Sequence, residues 1–275
     1  MSDGRPLLAD THCHLILPAF ADDREAVLDR ARAAGVERFL VPGIDLETSR
    51  QAVELARRHG DVFAAVGIHP HHAGAYDAQA AEALRDLAME TRVVAVGEIG
   101  LDYYRDLAPR PLQREALRGQ LELAAALDLP VVIHNREASG DLLEALEAWA
   151  AQLPPARAER PGVLHAFSGG AGEAGRARAA GFLLGVGGPI TYANGRGAAT
   201  LAGIPPDDLL LETDSPYLPP HPLRGRRNEP AHLTHIAAAL SALQDLPLDI
   251  LAAATSAAAA RLFGWDHDLN HRNLL

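Results

Sequence analysis

What most constrains this chain is an alternation that runs its whole length: short, almost continuously apolar runs take turns with helical segments. Eight such runs occupy 7–14, 38–44, 62–68, 93–99, 130–134, 163–167, 182–187 and 209–213. A strand that stays apolar on both faces is covered on both faces, as parallel strands under helices are; an antiparallel sheet with one wet face would alternate instead. Between the runs, DDREAVLDRARAAG offers Asp22 or Asp23 to start a helix and Gly35 to end it, and LETSRQAVELARRHG repeats the form with Gly60 in the terminating place. Strand, helix, strand in right-handed succession, repeated eight times, closes a sheet on itself. The pattern predicts an α/β fold, a (β/α)8 barrel of the TIM type. The 275 residues suit one such barrel, which takes about 250. A single domain over 1–275 is therefore expected. LPPARAERPG at 153–162 reads as a proline-rich turn, too short to link domains, and the Ala-rich stretch 252–260 as helix.

Metal-ligand chemistry sits at the end of five of these runs: His12 and His14 in ADTHCH, Glu98 in VGEIG, His134 in VVIH, His165 in VLHAF and Asp214 in LLLETD. Any one of them alone reads more simply as a hydrogen-bonded structural residue. Together they require five coincidences at equivalent strand ends, whereas a barrel gathers such ends at one mouth. In an extended strand His12 and His14 share a face, and four imidazoles with two carboxylates suffice for two divalent ions.

The one cysteine, Cys13, rules out an intrachain disulfide, and its place between two histidines turns it toward the helix layer as packing. No signal peptide precedes the first run and no apolar run approaches the ~18 residues of a membrane span, so a cytoplasmic protein with no membrane association is expected. A net charge of -11 argues against extensive nonspecific duplex binding, leaving substrate contact small and local. Candidate contacts are His69 and His71 in GIHPHH, favoured as supporting or phosphate-contacting groups over metal ligands because Pro70 interrupts the run. Others are Tyr103, Tyr104 and Arg105, where a ring could stack a base, and the cluster Arg224, Arg226 and Arg227 as a phosphate grip. The glycine doublets at 169–170 and 187–188 serve an anion or a tight turn equally well.

Read in order, DTHCHL, GIHPH, VGEIGLDYY, VIHNREA, HAFSG, ETDSPYL and RGRRNEP make the chain resemble the TatD family of metal-dependent deoxyribonucleases, among the amidohydrolase-like barrels. The likeness covers nearly the whole chain and fades toward RLFG, where Ala258 stands in place of the family's frequent Asn. The resemblance implies one ion on His12, His14, Glu98 and Asp214 and a second on Glu98, His134 and His165, with Glu98 bridging. Two divalent ions are implied, Mg, Mn or Zn. Asp214 would also accept a proton from the attacking water, making Glu98 and Asp214 the catalytic carboxylates. His69, His71, Tyr103, Arg105, Arg224 and Arg226 would meet the substrate. That substrate would be DNA, attacked from 3′ toward 5′ on single strands, with RNA open, by a monomer or weak oligomer. The competing readings are an esterase, lactonase or phosphotriesterase of the amidohydrolase type, and a metal-dependent binder of nucleic-acid ends without turnover.

Overall fold

The computed structural model describes residues 7–265, so both ends of the expected unit lie outside the described residues. Eight parallel strands form one sheet in sequence order: β1 (Leu8–Asp10), β2 (Val36–Pro42), β3 (Val62–Val66), β4 (Val93–Asp102), β5 (Val131–Arg136), β6 (Gly162–Leu164), β7 (Leu183–Val186) and β8 (Leu209–Leu211). The helices are α1 (Arg24–Ala33), α2 (Leu46–Arg58), α3 (Ala78–Ala88), α4 (Arg110–Ala126), α5 (Ser139–Ala150), α6 (Pro155–Ala158), α7 (Ala171–Ala179), α8 (Ala198–Ala202), α9 (Leu233–Gln244) and α10 (Leu248–Phe263). Above the strands the seam between β8 and β1 is drawn together: Thr11 N donates to Leu211 O at 3.0 Å, and Cys13 bridges Ser215 in parallel. This is the expected (β/α)8 barrel.

Strand parity sorts the core into two layers. Ala9, Leu40, Phe63, Val94, Val132, Val163, Leu183 and Leu210 face inward, with Phe263 and Trp265 from the end of α10 sealing the bottom of the barrel. Leu8, Phe39, Val41, Val62, Val96, Ile133, Leu184 and Leu211 face the helices instead. Cys13 joins this second layer, fully buried, with Sγ 3.5 Å from Leu40 O. Among the described residues no single helix is long and apolar enough to cross a membrane.

Several boundaries differ from the sequence reading. β1, β6 and β8 end at Asp10, Leu164 and Leu211, so His12, His14, His165 and Asp214 stand on the turns above the strands, not within them. The ladder stops where interstrand partners run out, and apolar residues continue beyond it into the covered turns. Asp23 occupies the start of α1 without capping it, because its carboxylate is spent on Arg227 and Arg30. Gly60 does not end α2; His59 does, in an extended conformation. Within 153–162 lies the single-turn helix α6.

Candidate metal centre

Asp10 fixes the geometry of the mouth. Its Oδ1 accepts from Thr213 N at 2.9 Å and His12 N at 3.3 Å, and its Oδ2 accepts from Thr213 Oγ1 at 2.6 Å, so one buried carboxylate clamps the turn after β1 to the turn after β8. Burial pushes its pKa up to about 7 against the pull of those donors. Backbone links follow: Asp214 N donates to His12 O and His14 N to Ser215 O, both at 2.8 Å. Asp214 itself turns through the left-handed region (φ 54), a conformation Asp tolerates better than most residues, and this aims its carboxylate back over the barrel. On the other side, a Cβ at Gly100 would stand 1.9 Å from His134 O, so only glycine lets β4 and β5 approach closely where Glu98 and His134 face each other.

The donors converge. His12 Nε2 and His14 Nε2 lie 3.1 Å apart, Glu98 Oε2 lies 3.3 and 3.6 Å from them, and Asp214 Oδ1 lies 3.4 Å from His14 Nε2. The other oxygen of Glu98 faces the opposite way: Oε1 is 3.0 Å from His134 Nδ1, 3.6 Å from His69 Nε2 and 3.9 Å from His165 Nε2. Donors held about 2.0–2.2 Å from one ion in tetrahedral or octahedral array sit about 3.0–3.6 Å from each other. The first group has that spacing; the second is slightly wider at His165. His12, His14 and Asp214, and separately His69, Glu98 and His134, form compact sets able to hold a cation.

Two carboxylates absent from the sequence reading complete the arrangement. His165 Nδ1 lies in ion-pair range of Glu212 Oε1 at 2.9 Å, and its Nε2 lies 3.9 and 4.0 Å from Glu98 and Asp214. His134 Nε2 lies 3.3 Å from Asp102 Oδ2, which leaves Nδ1 directed at Glu98. A carboxylate behind a histidine sets the tautomer and raises the basicity of the free nitrogen, the usual support of a metal-binding imidazole. Asp102 also binds His71 Nε2 at 2.8 Å and is itself held by the backbone N–H groups of Tyr104 and Arg105, 3.0 and 2.7 Å away. For Asp102 strand parity was the available signal, since it shares a face of β4 with Glu98.

Charge balance favours a cation here. Burial opposes charge on Glu98, yet the imidazoles around it, His12 foremost, hold its carboxyl well below the ordinary range. Burial likewise opposes charge on His165, but Glu212, Asp214 and Glu98 raise it to about 10. A field that holds a proton so firmly also attracts a metal ion. His69 behaves differently: its Nδ1 accepts from His71 N at 3.1 Å, so the neutral ring carries its proton on Nε2, and burial keeps the ring neutral. Its Nε2–H faces Glu98 Oε1 at 3.6 Å, beyond hydrogen-bond distance.

The remaining candidates line the rim. The hydroxyl of Tyr103 is 2.7 Å from Asp141, and Arg110 lies over its ring at 4.3 Å, so that ring is covered. Tyr104 likewise has Arg136 over its ring at 4.3 Å, with Arg105 5.9 Å from it, but it is more than half exposed, as is Tyr217, 6.0 Å from His14 ring to ring. Arg224 stacks on Tyr192 and Arg226 is exposed, but Arg227 is withdrawn from the cluster by Asp23 at 2.7 and 2.8 Å and by Ala19 O.

A parallel barrel whose mouth gathers imidazoles and carboxylates at ligand spacing has the build of a metal-dependent hydrolase. Residues 9–264 match the family model described as TatD related DNase, and the chain belongs to that family. It is 43% identical over 251 residues to the 3′-5′ ssDNA/RNA exonuclease TatD of Cronobacter turicensis, covering 89% of this chain and 93% of the relative. To the uncharacterized metal-dependent hydrolase YabD of Bacillus subtilis it is 37% identical over 258 residues, covering 94% and 99%. The crystal structure of YjjV, a TatD homologue from Escherichia coli K12, superposes with a TM-score of 0.86 at 36% identity, covering 94% of this chain and 98% of that one.

Proposed function

We propose that this chain removes nucleotides from the 3′ end of single-stranded DNA, with RNA as a second substrate, using two divalent ions. His12, His14 and Asp214 with Glu98 Oε2 would hold one ion, and Glu98 Oε1, His134 and His165 the other. The observation that carries the reading is the division of Glu98, whose two oxygens face two separate histidine groups. Strand polarity and substrate class are drawn from the named activity of the TatD relatives. Ions bound here would supply Lewis-acid polarisation of a phosphodiester and a lowered pKa for the attacking water.

The chain's own groups have distinct tasks in this proposal. Asp214 stays ionised because, against burial, His14 and His165 hold its pKa down, and it accepts the proton of the attacking water. His69 Nε2–H donates to a nonbridging phosphate oxygen, while Asp102 orients both His71 and His134. At the rim, Arg224 and Arg226 neutralise backbone phosphates, and the Tyr103 to Arg105 loop, chiefly Tyr104, receives an unstacked base. The test is digestion of 3′-labelled and 5′-labelled oligonucleotides in Mg2+, Mn2+, Zn2+ or EDTA. Release of single nucleotides from the 3′ label, abolished by EDTA, is expected; EDTA-insensitive cleavage or hydrolysis confined to small esters would overturn the proposal.

A further inference from the structure

All 25 basic residues of this acidic chain are arginines, with no lysine. Among the described residues many are neutralised within hydrogen-bond distance of a carboxylate, among them Arg30 by Glu229, Arg32 by Asp61, Arg176 by Glu147, Arg178 by Asp208 and Arg261 by Asp207. On one flank of the barrel three arginines with no carboxylate at hydrogen-bond distance share a cavity. A cavity of about 440 Å³ opens there between the turn after β1 and the outer face of α2, lined by Ile16, Arg24, Arg50, Gln51, Glu54 and Arg58.

Arg50, Glu54 and Arg58 follow one another at four-residue spacing along a single face of α2. Their contacts are loose: Arg50 lies 3.8 Å from Glu47 and Arg58 lies 3.8 Å from Glu54. Among the described residues the Arg50 side chain makes no hydrogen bond, and that of Arg58 makes one, to the carbonyl of Glu54 in its own helix. Arg24 spends only Nε, on Leu15 O at 2.6 Å. Three guanidinium groups against one carboxylate leave the cavity cationic in a chain of net charge -11. Its upper end meets the mouth of the barrel: Ile16 is two residues past His14, and α2 begins just after Gly43, whose carbonyl accepts from Glu98 N at 2.9 Å.

We propose that this flank is a second contact site for substrate, a track on which Arg24, Arg50 and Arg58 hold the backbone phosphates of a single strand upstream of the bond being cut. The inference rests on the nuclease reading above. Unspent guanidinium donors match phosphate oxygens, and from Arg50 to Arg58 the helix supplies about 12 Å of track at ~1.5 Å per residue. The chemistry at the mouth needs only the terminal phosphodiester, whereas the flank is reached only by a longer strand.

The test compares the wild type with the double variant Arg50→Ala/Arg58→Ala, both exposed positions outside the metal centre. Fluorescence anisotropy in EDTA reads binding of a labelled 12-mer oligothymidylate, and turnover in Mn2+ reads a dinucleotide and the 12-mer. Expected is about tenfold weaker 12-mer binding in the variant, with the salt slope reduced by about 1.4 for two lost single-strand contacts. The KM of the 12-mer should rise while kcat on both substrates and KM of the dinucleotide stay unchanged. Equal 12-mer binding by wild type and variant, or no 12-mer binding by the wild type, would overturn the track. A wild type that binds the 12-mer through Arg50 and Arg58 but cleaves nothing would leave the track standing and remove the nuclease reading instead.

Discussion

The two ends of the barrel interior are built from the same strands and differ in what completes them. At the bottom, Phe63 packs against Trp265 with ring centroids 5.2 Å apart, and Trp265 against Phe263 at 5.0 Å, over inward-facing Val94, Leu183 and Leu210. Those contacts are closed by the chain alone. At the mouth, buried imidazoles and carboxylates stand at ligand spacing, and His12 Nδ1, His14 Nδ1, His165 Nδ1 and Glu212 Oε2 have no hydrogen-bond partner within the protein among the described residues. Buried polar atoms left in this state cost free energy, about 1–3 kcal/mol each. The barrel concentrates its packing below and gathers above it imidazole and carboxylate donors at ligand spacing, so substitutions at the two ends should separate stability from turnover.

The largest effect on turnover is expected at Glu98. Glu98→Gln keeps the shape and removes the charge shared by the two histidine groups, so steady-state hydrolysis of a 3′-labelled oligonucleotide should fall by more than about 10³-fold, in the upper part of the range for loss of a catalytic carboxylate. Thermal unfolding without metal should change little. Asp214→Asn comes next, with about 10²–10⁴-fold lower kcat if it accepts the water proton; near-normal hydrolysis would reduce Asp214 to a turn residue. Glu212→Gln acts one step further out, through His165, and should weaken metal affinity by about 10–100-fold, measured by competition with a chelating dye.

At the bottom the sign reverses. Phe63→Ala should lower unfolding free energy by about 3–5 kcal/mol, read from denaturant midpoints, while kcat/KM per folded molecule stays at the wild-type value. Loss of catalysis at Phe63 in excess of the unfolded fraction would dissolve the contrast between the two ends.

How much of this was legible in the sequence follows the same division. Runs such as 93–99 and 182–187 are apolar on both faces, and burial on both faces is what a barrel strand requires, so the eight units could be read directly. The candidate donors could be read because His12, Glu98, His134, His165 and Asp214 each lie at or just past the end of such a run. Strand ends could not, since they are set by pairing with a neighbour: β6 stops at Leu164, and the chain turns at Ala166 in the left-handed region (φ 47), its N–H held by Glu212 Oε1 at 2.6 Å. Asp102 and Glu212 were hidden because an acid near a turn reads equally well as a cap. The withdrawal of Arg227 was invisible for a plainer reason, its partner Asp23 lying 204 residues away.

The central claim is that Glu98 divides its oxygens between two cations. Metal content after equilibrium dialysis, measured by mass spectrometry on wild type and Glu98→Gln side by side, tests it most directly. The account predicts two divalent ions per wild-type chain and loss of at least one in Glu98→Gln, with the folded barrel retained. One ion per wild-type chain, or the same count and affinity in both proteins, would contradict it.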